Sequence, residues 1–104
     1  MKELEITQQQ LQSTTVLSVV GAVDSNTAPE LQAALLRATE ASTGSVELDL
    51  AKVSYMSSAG LRALLLAAKA LQKRSERLKV SNVPAQILNV LNLTGFTTFI
   101  DVKS

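Results

Sequence analysis

The sequence predicts an α/β fold: a small mixed β-sheet with helices packed against it, in the order ββαβαβαβ. Three observations predict it. Strand-like and helix-like apolar periodicities alternate over most of the chain. The helical stretches carry recognisable start and stop residues. The 104 residues are 46% apolar and 18% charged, enough to bury one core without help from disulfides or metals. The whole chain, residues 1–104, reads as a single domain with no internal repeat and no linker.

Leu4-Glu5-Ile6-Thr7 alternates apolar and polar, as a half-buried strand does. Val16 to Val20 is a β-branched, nearly continuous apolar run and predicts a more deeply buried strand, with Gln10 to Thr15 closing a hairpin between them. Gly21 and Asp24-Ser25-Asn26 mark a loop. Thr27 and Glu30 have the spacing of a capping box and Pro29 suits a first turn, so a helix starts here. Leu31, Ala34, Leu35 and Ala38 give it a buried face, and Ser42-Thr43-Gly44 ends it. Val46, Leu48 and Leu50 alternate in the next strand. A second helix runs from about Ser58 to Lys73 with Leu61, Leu64, Leu65, Ala68 and Leu71 inward. Leu78 to Val83 is a further strand. Pro84 and Ala85 open a short helix to Leu93, with Ile87, Leu88 and Leu91 inward and Gly95 as its stop. Phe99 to Val102 is the last strand. Strands joined through helices are expected to be parallel with right-handed crossovers, and the first two strands add an antiparallel edge.

Composition narrows the function. The chain has no His and no Cys, which removes the commonest general base, the commonest metal ligand and thiolate chemistry together. We therefore expect no catalytic residue, no metal and no cofactor. A net charge of +1 gives no bulk attraction to nucleic acid or membrane. The charged first residues lack the apolar stretch of a signal peptide and no window is long enough to span a membrane, so a cytoplasmic location is expected. Six basic residues stand against one acid from Arg62 to Lys79, but the segment has no aromatic platform for bases. No phosphate-binding glycine loop occurs.

Met56-Ser57-Ser58-Ala59-Gly60 is the most informative segment. It places two hydroxyls where a strand gives way to a helix, at a terminus with unpaired N–H groups and a partial positive charge. Either serine could simply cap the helix. Either could instead accept a phosphoryl group, which adds about −1.5 to −2 charges at pH 7 and is tolerated at such an end. A nucleophilic serine is excluded: no base is available, and Tyr55 or Met56 occupies the position where a nucleophile elbow needs Gly. At 100° per residue Arg62, Leu66, Lys69 and Lys73 fall within about 60° of one another, opposite the core leucines. This stripe reads either as a solvated face or as a docking surface with Ser58 at its end, where Arg62 can pair with a phosphoryl group. Asp24-Ser25-Asn26 follows a strand, as Ser57-Ser58 does, so both loops are expected at one edge of the sheet.

Gly21-Ala22-Val23-Asp24, Thr27-Ala28-Pro29-Glu30-Leu31, Asp49-Leu50 and Tyr55-Met56-Ser57-Ser58-Ala59-Gly60-Leu61, in that order, resemble the STAS domains of anti-sigma factor antagonists. The resemblance covers nearly the whole chain. It implies a protein that captures an anti-sigma factor serine kinase of the GHKL type when dephosphorylated, is released when that kinase phosphorylates it, and is restored by a serine phosphatase. It places the phosphoacceptor on Ser58, with Ser57 as the alternative, and the loop aspartate on Asp24. The expected partner surface is Asp24, Ser25, Asn26, Ser57, Ser58, Arg62, Leu66 and Lys69. Two positions depart from the pattern: Ser57 stands where Asp is usual, and Ala59 where Ser is usual. A STAS subunit of a larger assembly, stressosome-like or a lipid-transport ATPase complex, is the other reading the resemblance allows. Oligomeric state is left open.

Overall fold

In the computed structural model, which describes residues 4–42 and 44–103, Leu4–Leu11 (β1) and Thr14–Val23 (β2) form an antiparallel hairpin from Leu4–Gly21 to Leu11–Thr14. Both strands are longer than their apolar runs predict. The turn shrinks to Gln12 and Ser13, with Gln12 in the left-handed region at φ 55° and its carbonyl accepting from Gln10 Nε2. β1 keeps its pairing through Gln8, Gln9 and Gln10 because ladder hydrogen bonds do not require apolar side chains.

Ala28–Ala41 (α1), Ser45–Met56 (β3), Ser58–Gln72 (α2), Leu78–Ser81 (β4), Ala85–Leu93 (α3) and Ile100–Lys103 (β5) follow, with a single 3₁₀ turn at Phe96–Thr98 before the last strand. The sheet order is β1-β2-β3-β4-β5, and every pair after the hairpin is parallel. This is the expected ββαβαβαβ order. Three right-handed crossovers that all step the same way along a sheet place their helices on one face. Burial follows that rule: Leu17, Val19, Leu48, Leu50 and Val80 are buried, while Ser18, Glu47, Asp49 and Lys79 on the other face stay half-exposed. The molecule has two layers and one aliphatic core.

The ends of the elements have local causes. Leu31, Leu35 and Ala38 fill the buried face of α1 as their spacing predicts. Thr43, read as part of its stop, lies outside the described residues. The capping box does not form: the Thr27 hydroxyl is engaged by the Ala22 carbonyl and the Asp24 amide, and the Asp24 carboxylate takes the Thr27 amide that Glu30 would have capped. α3 stops at Gly95, whose φ of 77° only glycine adopts without strain. β4 is shorter than read, since Asn82 at φ 53° turns the chain out of the ladder.

β3 is the main difference from expectation. Its pattern alternates cleanly only to Leu50, yet the strand continues to Met56. Register shifts between Ser18 and Val20 and between Gly21 and Ala22 show bulges that reset the inward–outward alternation, so Val53 is buried out of phase with Leu50.

α2 is rotated relative to its leucine pattern. Gly60, Ala63, Ala67 and Ala68 are buried with Leu64 and Leu71, whereas Leu61 and Leu65 sit half-buried on its flank. Small residues allow the helix to approach its neighbours closely. A Cβ on Gly60 would run into Met56 Sδ and Val23 Cγ1. Gly60→Ala is therefore expected to destabilise the fold by about 1–3 kcal/mol, measured by urea denaturation, despite Ala's better helix propensity. An unchanged midpoint would show that the first turn of α2 has room to shift.

Candidate functional site

The two serines at the start of α2 are given different jobs by the backbone. Ser57 is the N-cap: at ψ 172° it is extended, and its Oγ accepts the Gly60 amide at 3.2 Å. Its own amide donates to the Val23 carbonyl at 2.8 Å, which ties the end of β3 to the end of β2. Ser58 is the first helical residue. It is exposed, and among the described residues its hydroxyl has no hydrogen-bond partner. The local ambiguity between the two serines thus resolves into an engaged hydroxyl on Ser57 and a free one on Ser58.

The β2–α1 loop is built around Asp24. Its Oδ1 accepts the amides of Asn26 at 2.8 Å and Thr27 at 3.0 Å, and its carbonyl accepts the Ala28 amide at 2.8 Å. Thr27 Oγ1 donates to the Ala22 carbonyl at 2.8 Å and accepts the Asp24 amide at 2.9 Å. The Thr27 amide first, and the Asn26 amide next, stabilise the carboxylate and hold the Asp24 carboxyl below its usual range.

Ser25, Ala28, Pro29, Gln32, Ser58, Ala59 and Arg62 line a cleft of about 310 Å³ between the first turns of α1 and α2. Of the residues expected at the partner surface, Ser25, Ser58 and Arg62 meet here. Ser57 lies beneath as the cap. Asp24 and Asn26 shape the loop but do not line the cleft. Leu66, 39% exposed, and Lys69 continue along the outer side of α2, away from it. Gln32 was not anticipated. It stands four residues after Ala28, so the helical period puts both on the flank of α1 that meets α2.

The basic run after Arg62 does not form a continuous patch. Arg74 donates to the carbonyls of Thr39 at 2.7 Å and Gly44 at 3.1 Å, capping the end of α1. Arg77 pairs with Asp101 at 2.7 Å and reaches the carbonyls of Thr98 and Ile100. Lys103 pairs with Glu47 across the sheet at 2.9 Å. Among the described residues no group of three or more acidic side chains is placed to hold a metal ion.

A family model described as "Mlab, STAS domain" matches residues 6–101. The anti-sigma-B factor antagonist of Listeria monocytogenes is 32% identical over 87 residues, which are 83% of this chain and 75% of that protein. Among solved structures, an anti-sigma factor antagonist from Mycobacterium paratuberculosis superposes with a TM-score of 0.86 at 24% identity, over 95% of this chain and 84% of that one. The Bacillus cell fate determinant SpoIIAA in its phosphorylated form superposes with a TM-score of 0.74 at 16% identity, over 96% of this chain and 92% of that one. These two likenesses establish the shared fold.

The division of labour at the α2 start has a direct test. Ser57→Ala is expected to cost about 1 kcal/mol by loss of the cap. Ser58→Ala should stay within about 0.5 kcal/mol of wild type, since no bond is lost. Equal losses in urea denaturation would contradict the assignment. Acid provides a second test. The carboxyl of Asp24 has a folded pKa below its unfolded one, so its contribution is full above the unfolded value, about pH 4, and fades as pH falls through the folded value. Asp24→Ala should be less stable than wild type at pH 7, and the difference should shrink below pH 4. A difference that does not change with pH would show that the loop bonds do not depend on the carboxylate.

Proposed function

The chain belongs to the STAS family of anti-sigma factor antagonists and is a regulatory binding protein rather than an enzyme, and from that premise we propose that it is switched by phosphorylation at Ser58. In the dephosphorylated state it captures an anti-sigma factor serine kinase of the GHKL type. That kinase transfers the γ-phosphoryl group of ATP to Ser58 Oγ and the complex dissociates; a serine phosphatase reverses the mark.

The observation that carries this reading is the unengaged, exposed Ser58 hydroxyl beside a capped Ser57. A kinase can take Ser58 without undoing a bond the fold relies on, whereas reaching Ser57 Oγ means unmaking the helix cap. The cleft explains why the mark would matter. Ser25, Ala59 and Gln32 form walls that a partner covers, and a dianion trapped under such a cover without a counter-charge is costly. Arg62, the one cation lining the same cleft, offsets only part of the phosphoryl group's charge of about −1.5 to −2, so the remainder stays uncompensated under the cover. Ser25 stands on the opposite lip, in the loop that Asp24 and Asn26 shape, and Leu66 and Lys69 extend the contact along α2.

The reading places the protein in the cytoplasm as a single STAS domain. Among the described residues no helix is long and apolar enough to cross a membrane. A second reading rests on Ser57: the switched pattern usually has Asp there, so a structural STAS subunit of a larger assembly, never phosphorylated, is the alternative.

One experiment separates them. The chain is incubated with the anti-sigma factor kinase of its own cell and ATP, and the phosphorylated residue is read by mass spectrometry. Calorimetry then compares wild type, Ser58→Ala and Ser58→Asp. Phosphate on Ser58, wild-type affinity for Ser58→Ala and a roughly hundredfold loss for Ser58→Asp, about 2.7 kcal/mol, are expected. Equal affinities for all three, with no phosphate on either serine, would overturn the switch and favour the structural role.

A further inference from the structure

β1 is an outer strand of the sheet. Its ladder with β2 is unbroken from Leu4 to Leu11, and alternate residues of such a strand turn their N–H and C=O groups away from the partner. Among the described residues nothing bonds that outer row. The side-chain bonds of β1, Gln10 Nε2 to the Gln12 carbonyl and Thr15 Oγ1 to Gln10 Oε1, stay within the hairpin. The usual guards of an edge are missing as well. β1 has no Pro, no bulge and a single charge, Glu5, whereas β5 at the other edge is only four residues long and carries Asp101 and Lys103.

A groove of about 240 Å³ lies between β1 and α1, lined by Ile6, Gln8, Leu17, Glu30, Ala34 and Arg37. Glu30 and Arg37 are its two charges. Both are exposed, and among the described residues neither is in an ion pair. They lie on one stripe of α1, two turns or about 10 Å apart, with the small Ala33 and Ala34 between them. Gln32 is on the other flank of the helix, where it lines the Ser58 cleft.

We propose that this edge receives a second copy of the chain, with β1 added antiparallel to β1 about a twofold axis at Thr7, joining two five-stranded sheets into one. Ile6 of each copy then faces Gln8 of the other, and Glu5 faces Gln9, so the two Glu5 side chains stay apart. The charges of the groove select this occupant. α1 returns from the end of β2 and therefore runs in the direction of β1, so the axis that reverses one strand reverses both helices. Glu30 of each copy comes opposite Arg37 of the other. A groove with an acid at one end and a base at the other is complementary to its own reversed copy. The Ser58 cleft, on the far flank of α1, stays open in both copies, and the inference is independent of whether Ser58 is modified.

Charge exchange tests it. The mass of the full chain is followed by sedimentation at low ionic strength from about 10 µM to about 1 mM, a range suited to a small interface, with amide hydrogen exchange read at both ends. The mass should rise toward that of two chains, and alternate amides of residues 5–10 should slow with it. Glu30→Arg and Arg37→Glu, exposed substitutions whose folding is checked by the thermal midpoint, should each self-associate about fivefold more weakly or worse, because like charges then meet across the axis. An equimolar mixture of the two variants should regain the association of the wild type. A monomer throughout the series, a dimer with unchanged exchange in β1, single variants as strong as wild type, or a mixture no stronger than its components would each overturn the proposal.

Discussion

Because β2 and β3 run parallel and stay paired from Thr14–Ser45 to Val23–Met56, their C-terminal ends arrive together at one edge of the sheet. The loops that follow inherit that placement. The Ser57 amide bonds the Val23 carbonyl, so the start of α2 is fixed against the start of the β2–α1 loop. Gly60 allows the first turn of α2 to lie against Met56 and Val23. The cleft that holds Ser25, Ser58 and Arg62 follows from this pairing and needs no structure of its own.

Much of this architecture was legible in the residues. Helix–strand alternation yielded the element order, and with it the parallel pairing of strands joined through helices and the antiparallel edge of the first two. Leu31, Leu35 and Ala38, at helical spacing, were buried as read. The losses were of a particular kind. Alternation cannot see through a bulge, so the pattern ends β3 at Leu50 while the strand runs to Met56. Leucines attract attention at helix positions where alanines do the closer packing, so α2 was turned by part of a residue step. Thr27 and Glu30 matched a capping box, but Asp24, three residues before Thr27, competes for the same amide and wins because the loop already holds its carboxylate there.

The site was legible in its residue types but not in its division of roles. Ser57 and Ser58 are identical in chemistry and adjacent in sequence. Only the backbone decides that one turns its hydroxyl back to the Gly60 amide while the other points out. The basic run was misleading in the opposite sense. Arg74 and Arg77 looked like surface charge, yet they serve as clasps for carbonyls at the ends of α1 and of the 3₁₀ turn. Such use depends on neighbours more than twenty residues away, which no local spacing reveals.

The neutral cap on α2 bears on how long a mark at this position would last. Ser57 carries no charge, and the first turn of α2 contains no acid. The half-charge at that helix end is therefore uncompensated by the chain itself. An anion arriving at Ser58 would meet attraction from the helix and from Arg62, with no carboxylate beside it to repel it. The modified form would then be the tighter-folded of the two. Its lifetime would be set by the covalent bond, since a phosphate monoester hydrolyses extremely slowly unaided, so erasing the mark would depend on a second enzyme that lowers that barrier.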